Sequence, residues 1–196
     1  KDLEEVKWLQ PEGWSDIIPH LKYYIGSDFC YPVKVKIDNK IAGTGASIMY
    51  PGSSWLAHII VATEYRNRGI GFQLVDKLIH HPRQDPSGRI LLTATTFGEP
   101  VYRKHGFRPV TDYVFLGRQK PLEPFPLSKY IIPFEEHYLP ALYAMDKRIS
   151  GEERQQLLAS WLFTSFLYVV NRQLLGFYLP DLGEGMILAD STEAGI

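Results

Sequence analysis

Residues 61–71 constrain the fold more than any other part of the chain, because they join two different hydrophobic patterns. Residues 55–61 are almost all apolar, which is typical of a strand buried on both faces. After the junction, Leu74, Val75, Leu78 and Ile79 recur at the spacing of one helical face. Between the two patterns lies a basic, glycine-containing stretch at 65–71. The sequence therefore predicts a strand, a turn and a helix in this order.

The turn has the composition of an anion-binding site. The first N–H groups of a helix have no intrahelical partner and form the positive end of the helix dipole. Gly69 and Gly71 let the backbone approach an anion closely, and Arg66 and Arg68 add positive charge. We interpret the turn as a pyrophosphate pocket, the alternative being a tight connection with solvated arginines. An ATP or GTP site is disfavoured because no Gly-Lys-Ser/Thr sequence and no magnesium ligand set follows.

The rest of the first 118 residues predicts a mixed α/β sheet with one parallel pair of strands. Asp38-Asn39-Lys40 has turn chemistry and predicts a hairpin between 33–37 and 41–49. Pro100 and Gly106 mark the start and the end of a short helix. The remaining predicted elements are a short strand followed by helices within 2–25, a strand at 89–95 parallel to the one at 55–61, and a closing strand at 111–116.

A proline-rich stretch at 119–127 predicts a stiff linker between a domain at 1–118 and a second unit at 128–196. The second unit is predicted to be a partial repeat of the first. Residues 170–176 resemble residues 37–43, and 185–190 would correspond to the strand at 55–61. Because no glycine-bearing turn follows 190, no catalysis is assigned to this unit. The alternative is an unrelated C-terminal extension.

Composition excludes several classes of protein. A net charge of −1 over 196 residues gives no basic surface for nucleic acid or for an anionic membrane. The longest apolar stretch, 161–170, is too short for a bilayer, which needs about 20 residues. The single cysteine, Cys30, excludes an internal disulfide and favours a reducing compartment, so we expect a cytoplasmic protein. The chain starts at Lys1 rather than at methionine, which suggests a processed fragment and leaves its natural ends open.

Two motifs about thirty residues apart resemble the GNAT acyltransferase superfamily over residues 31–118. The first is the Arg-x-x-Gly-x-Gly pattern of Arg66, Gly69 and Gly71, and the second is Tyr-Arg-Lys-His-Gly-Phe at 102–107. Residues 92–102 also resemble a GNAT subfamily with a second, GNAT-like C-terminal domain. The resemblance implies the GNAT fold, in which the two parallel strands splay apart and the pantetheine arm of the coenzyme lies in the gap.

The resemblance also implies an enzyme that transfers an acetyl group from acetyl-CoA to a primary amine by direct attack, without a covalent intermediate or a metal. Tyr102 would protonate the departing CoA sulfur. The backbone of Ile59 and Val61 would pair with the pantetheine amides in the manner of an added strand. The pyrophosphate would be held by Arg66, Asn67, Arg68, Gly69, Ile70 and Gly71. The expected partner is a small-molecule or amino-acid-like amine, and a homodimer stays open.

The general base is where the sequence departs from the family pattern. The family often places it at positions corresponding to Trp55 or Ala57, neither of which can accept a proton. Strand alternation predicts that His58 faces away from these positions as a buried neutral histidine. Water, Asp28 or Glu99 stays open as the base, and Trp55, Tyr23 and Tyr24 are candidates for an acceptor pocket. The missing base favours the alternative function, a non-catalytic acyl-CoA-binding regulatory module.

Overall fold

The computed structural model describes residues 2–81, 83–114, 126–183 and 185–195. The chain divides into two units, Lys1–Asp112 and Tyr113–Ile196. The predicted linker at 119–127 lies largely outside the described residues, as does the end of the predicted closing strand at 111–116. Residues 111–114 are not in a strand. The domain limits drawn from the sequence stay predictions.

The first unit is a sheet with helices packed on it. Its strands are β1 (Cys30–Ile37), β2 (Lys40–Tyr50), β3 (Ser53–Val61) and β4 (Arg89–Leu91). Its α-helices are α1 (Asp2–Val6), α2 (Ile18–Gly26), α3 (Ile70–Ile79) and α4 (Glu99–Lys104), and short 3-10 turns lie at Lys7–Leu9 and Thr63–Tyr65. The strand order is β1-β2-β3-β4, antiparallel except for the parallel pair β3–β4. The mixed sheet predicted from the sequence is confirmed.

The predicted hairpin is confirmed as β1–β2, and its two-residue turn has the backbone that such hairpins require. Asp38 and Asn39 have φ angles of 49° and 63°. Positive φ at both central residues matches the twist of the flanking strands, and Asp and Asn tolerate it better than most residues. The local sequence therefore sets the turn that joins β1 to β2.

The prediction of a strand in the N-terminal segment is wrong, because Asp2–Val6 is helical. Leu3, Val6 and Leu9 recur at three-residue spacing and pack with Leu21 and Tyr24 of α2. This spacing buries one side of a helix and not one face of a strand. Pro11 lies beyond this short helical stretch and so does not prevent it.

Helix α3 covers the opposite face of the sheet from α1 and α2. Its buried residues Leu74 and Ile70 pack against Val33, Val35 and Val61. Val75 and Leu78 pack in a neighbouring cluster with Leu56 and Val101. Because the apolar stripe read from the sequence is the one that is buried, the start of α3 is held rigidly at the end of β3.

The second unit repeats this arrangement in part. Its strands are β5 (Ile131–Pro133), β6 (Phe166–Val170), β7 (Gln173–Leu179) and β8 (Met186–Ala189), in the order β5-β6-β7-β8. Its α-helices are α5 (Leu139–Ser150), α6 (Gln155–Ala159) and α7 (Thr192–Gly195), with 3-10 turns at Glu136–Tyr138 and Leu162–Thr164. Leu142 and Leu158 from the helices and Leu167 and Phe177 from the sheet lie in one buried cluster.

The hairpins β1–β2 and β6–β7 share an irregularity that the sequence did not reveal. Asn171 and Arg172 have φ angles of 50° and 64°, matching the turn at Asp38 and Asn39. In both hairpins the pairing register shifts by one residue at the same distance from the turn. The extra residue is Ala42 in β2 and Leu175 in β7. These shared features support the predicted internal repeat.

Candidate functional site

Part of β3 lacks a neighbouring strand on one side. Its pairing with β4 ends at Trp55 and Leu91, and no strand lies beyond that point among the described residues. The predicted strand at 89–95 is therefore too long, since residues 92–95 lie outside the sheet. The carbonyl of Thr95 instead accepts hydrogen bonds from the N–H groups of Gly98 and Glu99 at the start of α4. Residues 56–61 form an open strand edge.

The backbone groups of Ile59 and Val61 point to this open edge. On the other side, Ala62 donates to the carbonyl of Ala42 at 3.0 Å, so the groups of Ala62 point toward β2. The carbonyl of Ile60 also points toward β2, because a Cβ added to Gly43 would lie 2.9 Å from it. Successive backbone groups alternate in direction along a strand. An extended ligand could therefore pair with Ile59 and Val61 in the manner of an added strand.

The open edge leads directly into the free N-terminus of α3. Gly69 precedes the first helical residue with φ 80° and ψ −1°, and no side chain caps the helix. Gln73 donates to Gly69 at 3.0 Å and begins the intrahelical pattern. The N–H groups of Ile70, Gly71 and Phe72 consequently have no intrahelical acceptor. This is the geometry that binds phosphate groups at helix N-termini.

The two arginines of the turn lie at different places. Arg66 Nε donates to the carbonyl of Val61 at 3.1 Å and so borders the open edge. The guanidinium carbon of Arg68 lies 5.5 Å from the centre of the Tyr65 ring. Asn67, between them, has φ 60° and reverses the chain. The turn therefore presents two cations and the start of a helix beside one strand edge.

Tyr102 lies on α4, which is attached to the first turn of α3. His105 Nε2 lies 3.1 Å from the Phe72 carbonyl, and the two rings stack with centres 4.0 Å apart. The ring of Tyr102 packs in the cluster of Leu56 and Val75, and burial raises the pKa of its phenol. Its hydroxyl has no hydrogen-bond partner among the described residues. Tyr102 is thus a protonated donor on a helix fixed beside the turn.

The predicted orientation of His58 is wrong. Between Thr44 and Ala46 the register of β2 against β3 shifts, so His58 and Ile59 together oppose Gly45. This bulge sends Ile59 to the side of α3 and leaves His58 on the side of α2 with Ala57. Strand alternation, on which the prediction rested, does not hold across a bulge.

Three aromatic side chains, those of Trp14, His20 and Tyr24, surround His58. We call these four residues the histidine cluster. The Tyr24 hydroxyl lies 2.9 Å from His58 Nδ1. The His20 ring stacks on His58 with centres 4.8 Å apart, and Trp14 meets it edge-on at 6.1 Å. Burial, and then the nearby His20, lowers the pKa of His58 to about 4. The predicted neutral state of His58 agrees with this environment.

Sequence reasoning missed His20 and Trp14. His20 and Tyr24 are four residues apart on α2 and so share one helical face, a signal that was present in the sequence. Of the open candidates for the base, Glu99 pairs with Arg103 at 2.6 Å. Asp28 is exposed on a loop, and its carbonyl accepts a hydrogen bond from Arg83. Neither carboxylate touches the histidine cluster.

Cys30 is buried, and burial raises the pKa of its thiol to about 11. Such a thiol is protonated at neutral pH and is a poor nucleophile. Over the described residues, no group of three or more His, Cys, Asp and Glu side chains could hold a metal ion. Within those same ranges, the structure has no helix with the length and apolar character needed to cross a bilayer.

A family model of the acetyltransferase (GNAT) domain matches residues 10–116, more than half of the chain. The chain therefore belongs to the GNAT acetyltransferase family. This is a family of acyl-transfer enzymes, and the open strand edge with the free helix N-terminus lies within the matched segment.

Solved structures of other proteins resemble this chain in fold. A proposed acetyltransferase from Pyrococcus horikoshii is 19% identical, with a TM-score of 0.69 over 99% of this chain and 70% of its own. A protein of unknown function from meticillin-resistant Staphylococcus aureus, described as a probable acetyltransferase, is 16% identical with a TM-score of 0.51. That match covers 60% of this chain and 94% of the other. No curated protein matches the sequence.

Proposed function

We propose that the first unit transfers an acetyl group from acetyl-CoA to the primary amine of a small or amino-acid-like molecule. The observation that carries this proposal is the continuity of the open β3 edge with the uncapped N-terminus of α3. A long ligand with amides at one end and a diphosphate at the other would satisfy both features at once. Membership of the GNAT family supports the same ligand class.

The backbone of Ile59 and Val61 would bind the pantetheine amides. Because Arg66 already donates to the Val61 carbonyl, it would exchange that contact for the diphosphate when the coenzyme binds. The N–H groups of Ile70 and Gly71 and the backbone of Asn67, Arg68 and Gly69 would complete the phosphate pocket. Main-chain donors of this kind are fixed by the fold and lose little conformational entropy on binding.

Tyr102 would donate its proton to the sulfur of the departing thiolate. In this reaction the amine nitrogen forms a bond to the thioester carbonyl carbon, the carbon–sulfur bond breaks, and the thiolate takes a proton. The raised pKa keeps the Tyr102 phenol protonated until charge develops on the sulfur. Proton donation in a transition state typically contributes about 10²–10⁴-fold to a rate.

The first experiment measures acetyl-CoA binding by isothermal titration calorimetry with Arg66→Gln and Arg68→Gln variants. Each change should weaken binding by about 3–10-fold, or about 0.7–1.4 kcal/mol. The matched control is Arg103→Gln, which removes an exposed arginine paired with Glu99 and should leave binding unchanged. If the control weakens binding as much as the turn variants, the phosphate pocket lies elsewhere.

The second experiment follows thiol release from acetyl-CoA with a panel of primary amines. The Tyr102→Phe variant should lose about 100-fold or more in kcat while its acetyl-CoA affinity is unchanged. The control Tyr130→Phe alters a tyrosine of the second unit and should have wild-type turnover. Binding of acetyl-CoA without turnover of any amine by the wild type would instead support the non-catalytic acyl-CoA-binding module.

A further inference from the structure

His58 has a backbone conformation that is costly in a strand. Its φ is 48°, in the left-handed region, and it lies at the bulge where two residues of β3 oppose Gly45. Gly45 leaves room for this bulge, because an added Cβ would lie 3.2 Å from Ile59 and 3.2 Å from Leu78. Strained backbone that the surrounding structure maintains is often found at functional sites. The bulge turns His58 toward α2 at the start of the open edge.

The surroundings of His58 hold one ring nitrogen and leave the other available. Nδ1 lies 2.9 Å from the hydroxyl of Tyr24, which is itself buried. Nε2 has no protein partner among the described residues. His58 and His20 are half-buried, and Trp14 is 44% exposed, so this side of the cluster is reached from solvent. Ile59, the next residue, directs its backbone to the edge where the thioester would lie.

We propose that His58 is the general base of the acetyl transfer, with Tyr24 as the positioning residue that fixes its tautomer. This inference rests on the proposed function. The proposal requires that the Nδ1–H of His58 donates to the Tyr24 oxygen, which leaves the lone pair on Nε2. A histidine at this position substitutes for a carboxylate at Trp55 or Ala57, which this chain lacks.

Two side chains take part in the proton transfers of the reaction. When the amine attacks the thioester carbonyl, its nitrogen becomes positively charged and acidic, and Nε2 of His58 takes one of its protons. The thiolate takes the phenolic proton of Tyr102 as the carbon–sulfur bond breaks. His58 then releases its proton to water and Tyr102 recovers one from water. The products are the amide and CoA with a free thiol.

The lowered pKa of His58 keeps a lone pair free on its imidazole ring. Burial lowers its pKa to about 4, so the imidazole is neutral over the physiological range. The titratable groups that face it are His20 and Tyr24 of α2, and the Cys30 thiol of β1 lies beyond Tyr24. A neutral ring accepts the proton after the carbon–nitrogen bond has begun to form, when the attacking nitrogen has become positively charged and acidic.

The test uses the full chain with acetyl-CoA and the amine panel, and compares His58→Asn with His80→Asn. Asparagine tolerates the left-handed backbone and so preserves the bulge, but it has no basic nitrogen. His80 lies exposed at the end of α3 and is the matched control. His58→Asn should lose about 100-fold or more in kcat, with its acetyl-CoA affinity and unfolding temperature near the wild-type values. His80→Asn should resemble the wild type.

Chemical rescue separates a base from a structural residue. His58→Gly accepts the same backbone conformation and leaves space for a free ring. Added imidazole should therefore raise the kcat of this variant at least tenfold. Tyr24→Phe should lower kcat and leave the KM for acetyl-CoA unchanged. Nitrogen NMR of the wild type should show the proton of His58 on Nδ1.

Three results would overturn the assignment. One is wild-type turnover by His58→Asn. Another is loss of activity that imidazole does not rescue and that accompanies weaker acetyl-CoA binding or a lower unfolding temperature. The third is a wild type that binds acetyl-CoA but turns over no amine, which removes both the base and the proposed transferase. The first two results leave the proposed function intact.

Discussion

Replacing each of the two glycines of the turn at 65–71 with alanine should change the stability in opposite directions. Gly69 has φ 80°, and an added Cβ would meet nothing within 4 Å, so the cost of Gly69→Ala comes from the backbone alone. A left-handed conformation costs a non-glycine residue about 1–2 kcal/mol. Gly71 is the second residue of α3, and its Cβ would lie 3.8 Å from Val61 and 3.9 Å from Val101, which is ordinary contact. Gly71→Ala should therefore gain up to about 1 kcal/mol from helix propensity.

Urea unfolding followed by tryptophan fluorescence measures this difference. Trp8, Trp14 and Trp55 all lie in the first unit, so the signal reports mainly on it. The two variants should differ by about 1–3 kcal/mol in the free energy of unfolding. Contact of the Gly71→Ala methyl group with Val61 and Val101 contributes no more than about 0.8 kcal/mol to this gap. Equal stabilities, or a Gly69→Ala variant as stable as the wild type, would refute the left-handed backbone at Gly69 and the helix start derived from it.

Three further predictions concern buried groups. Because the pKa of His58 is about 4 in the fold and 6.5 in a model peptide, protons bind the unfolded chain first as the pH falls. Between pH 6.5 and 4, the free energy of unfolding should fall by up to about 3 kcal/mol more in the wild type than in His58→Asn. Urea titrations at pH 7 and pH 4.5 measure this difference. Leu78→Ala removes a fully buried side chain and should cost about 2–5 kcal/mol, whereas Ile25→Ala, at an exposed position, should change the unfolding midpoint little. Asp146→Asn breaks the buried ion pair with Arg154, whose Nη2 lies 2.8 Å from the carboxylate. The free energy of unfolding, followed by circular dichroism, should fall by about 3–5 kcal/mol. Replacing both partners by Leu and Met should recover part of that loss, and a double variant no more stable than Asp146→Asn would contradict the assignment.

Local sequence predicted the features that depend on local chemistry. The turn at Asp38 and Asn39 needs residues that tolerate positive φ, and its two residues do. The helix that starts after Gly69 needs an apolar stripe and a flexible residue before it, and both are present. The helix at Glu99–Lys104 has Pro100 in its first turn and is followed by Gly106 at φ 86°, as predicted. In each case the deciding interactions lie within a few residues.

Other features could not be read from the sequence, because they depend on which strand lies beside which. The length of β4 follows from where it leaves β3, and the sequence of residues 92–95 is compatible with a strand. The N-terminal helix forms because Leu3 and Val6 meet Leu21 across α2, although isolated helices this short are unstable. Tertiary packing outweighed local preference at both places.

The sequence alone predicted the turn at 65–71, the strand and helix that flank it, and the family motif that includes Tyr102. The direction of the His58 side chain could be seen only in the folded chain, because it depends on a one-residue mismatch between β2 and β3 opposite Gly45. A strand of regular pleat would bury His58 against α3. The bulge instead places it beside Tyr24 and His20, since pairing register is a property of two strands together and not of either sequence alone.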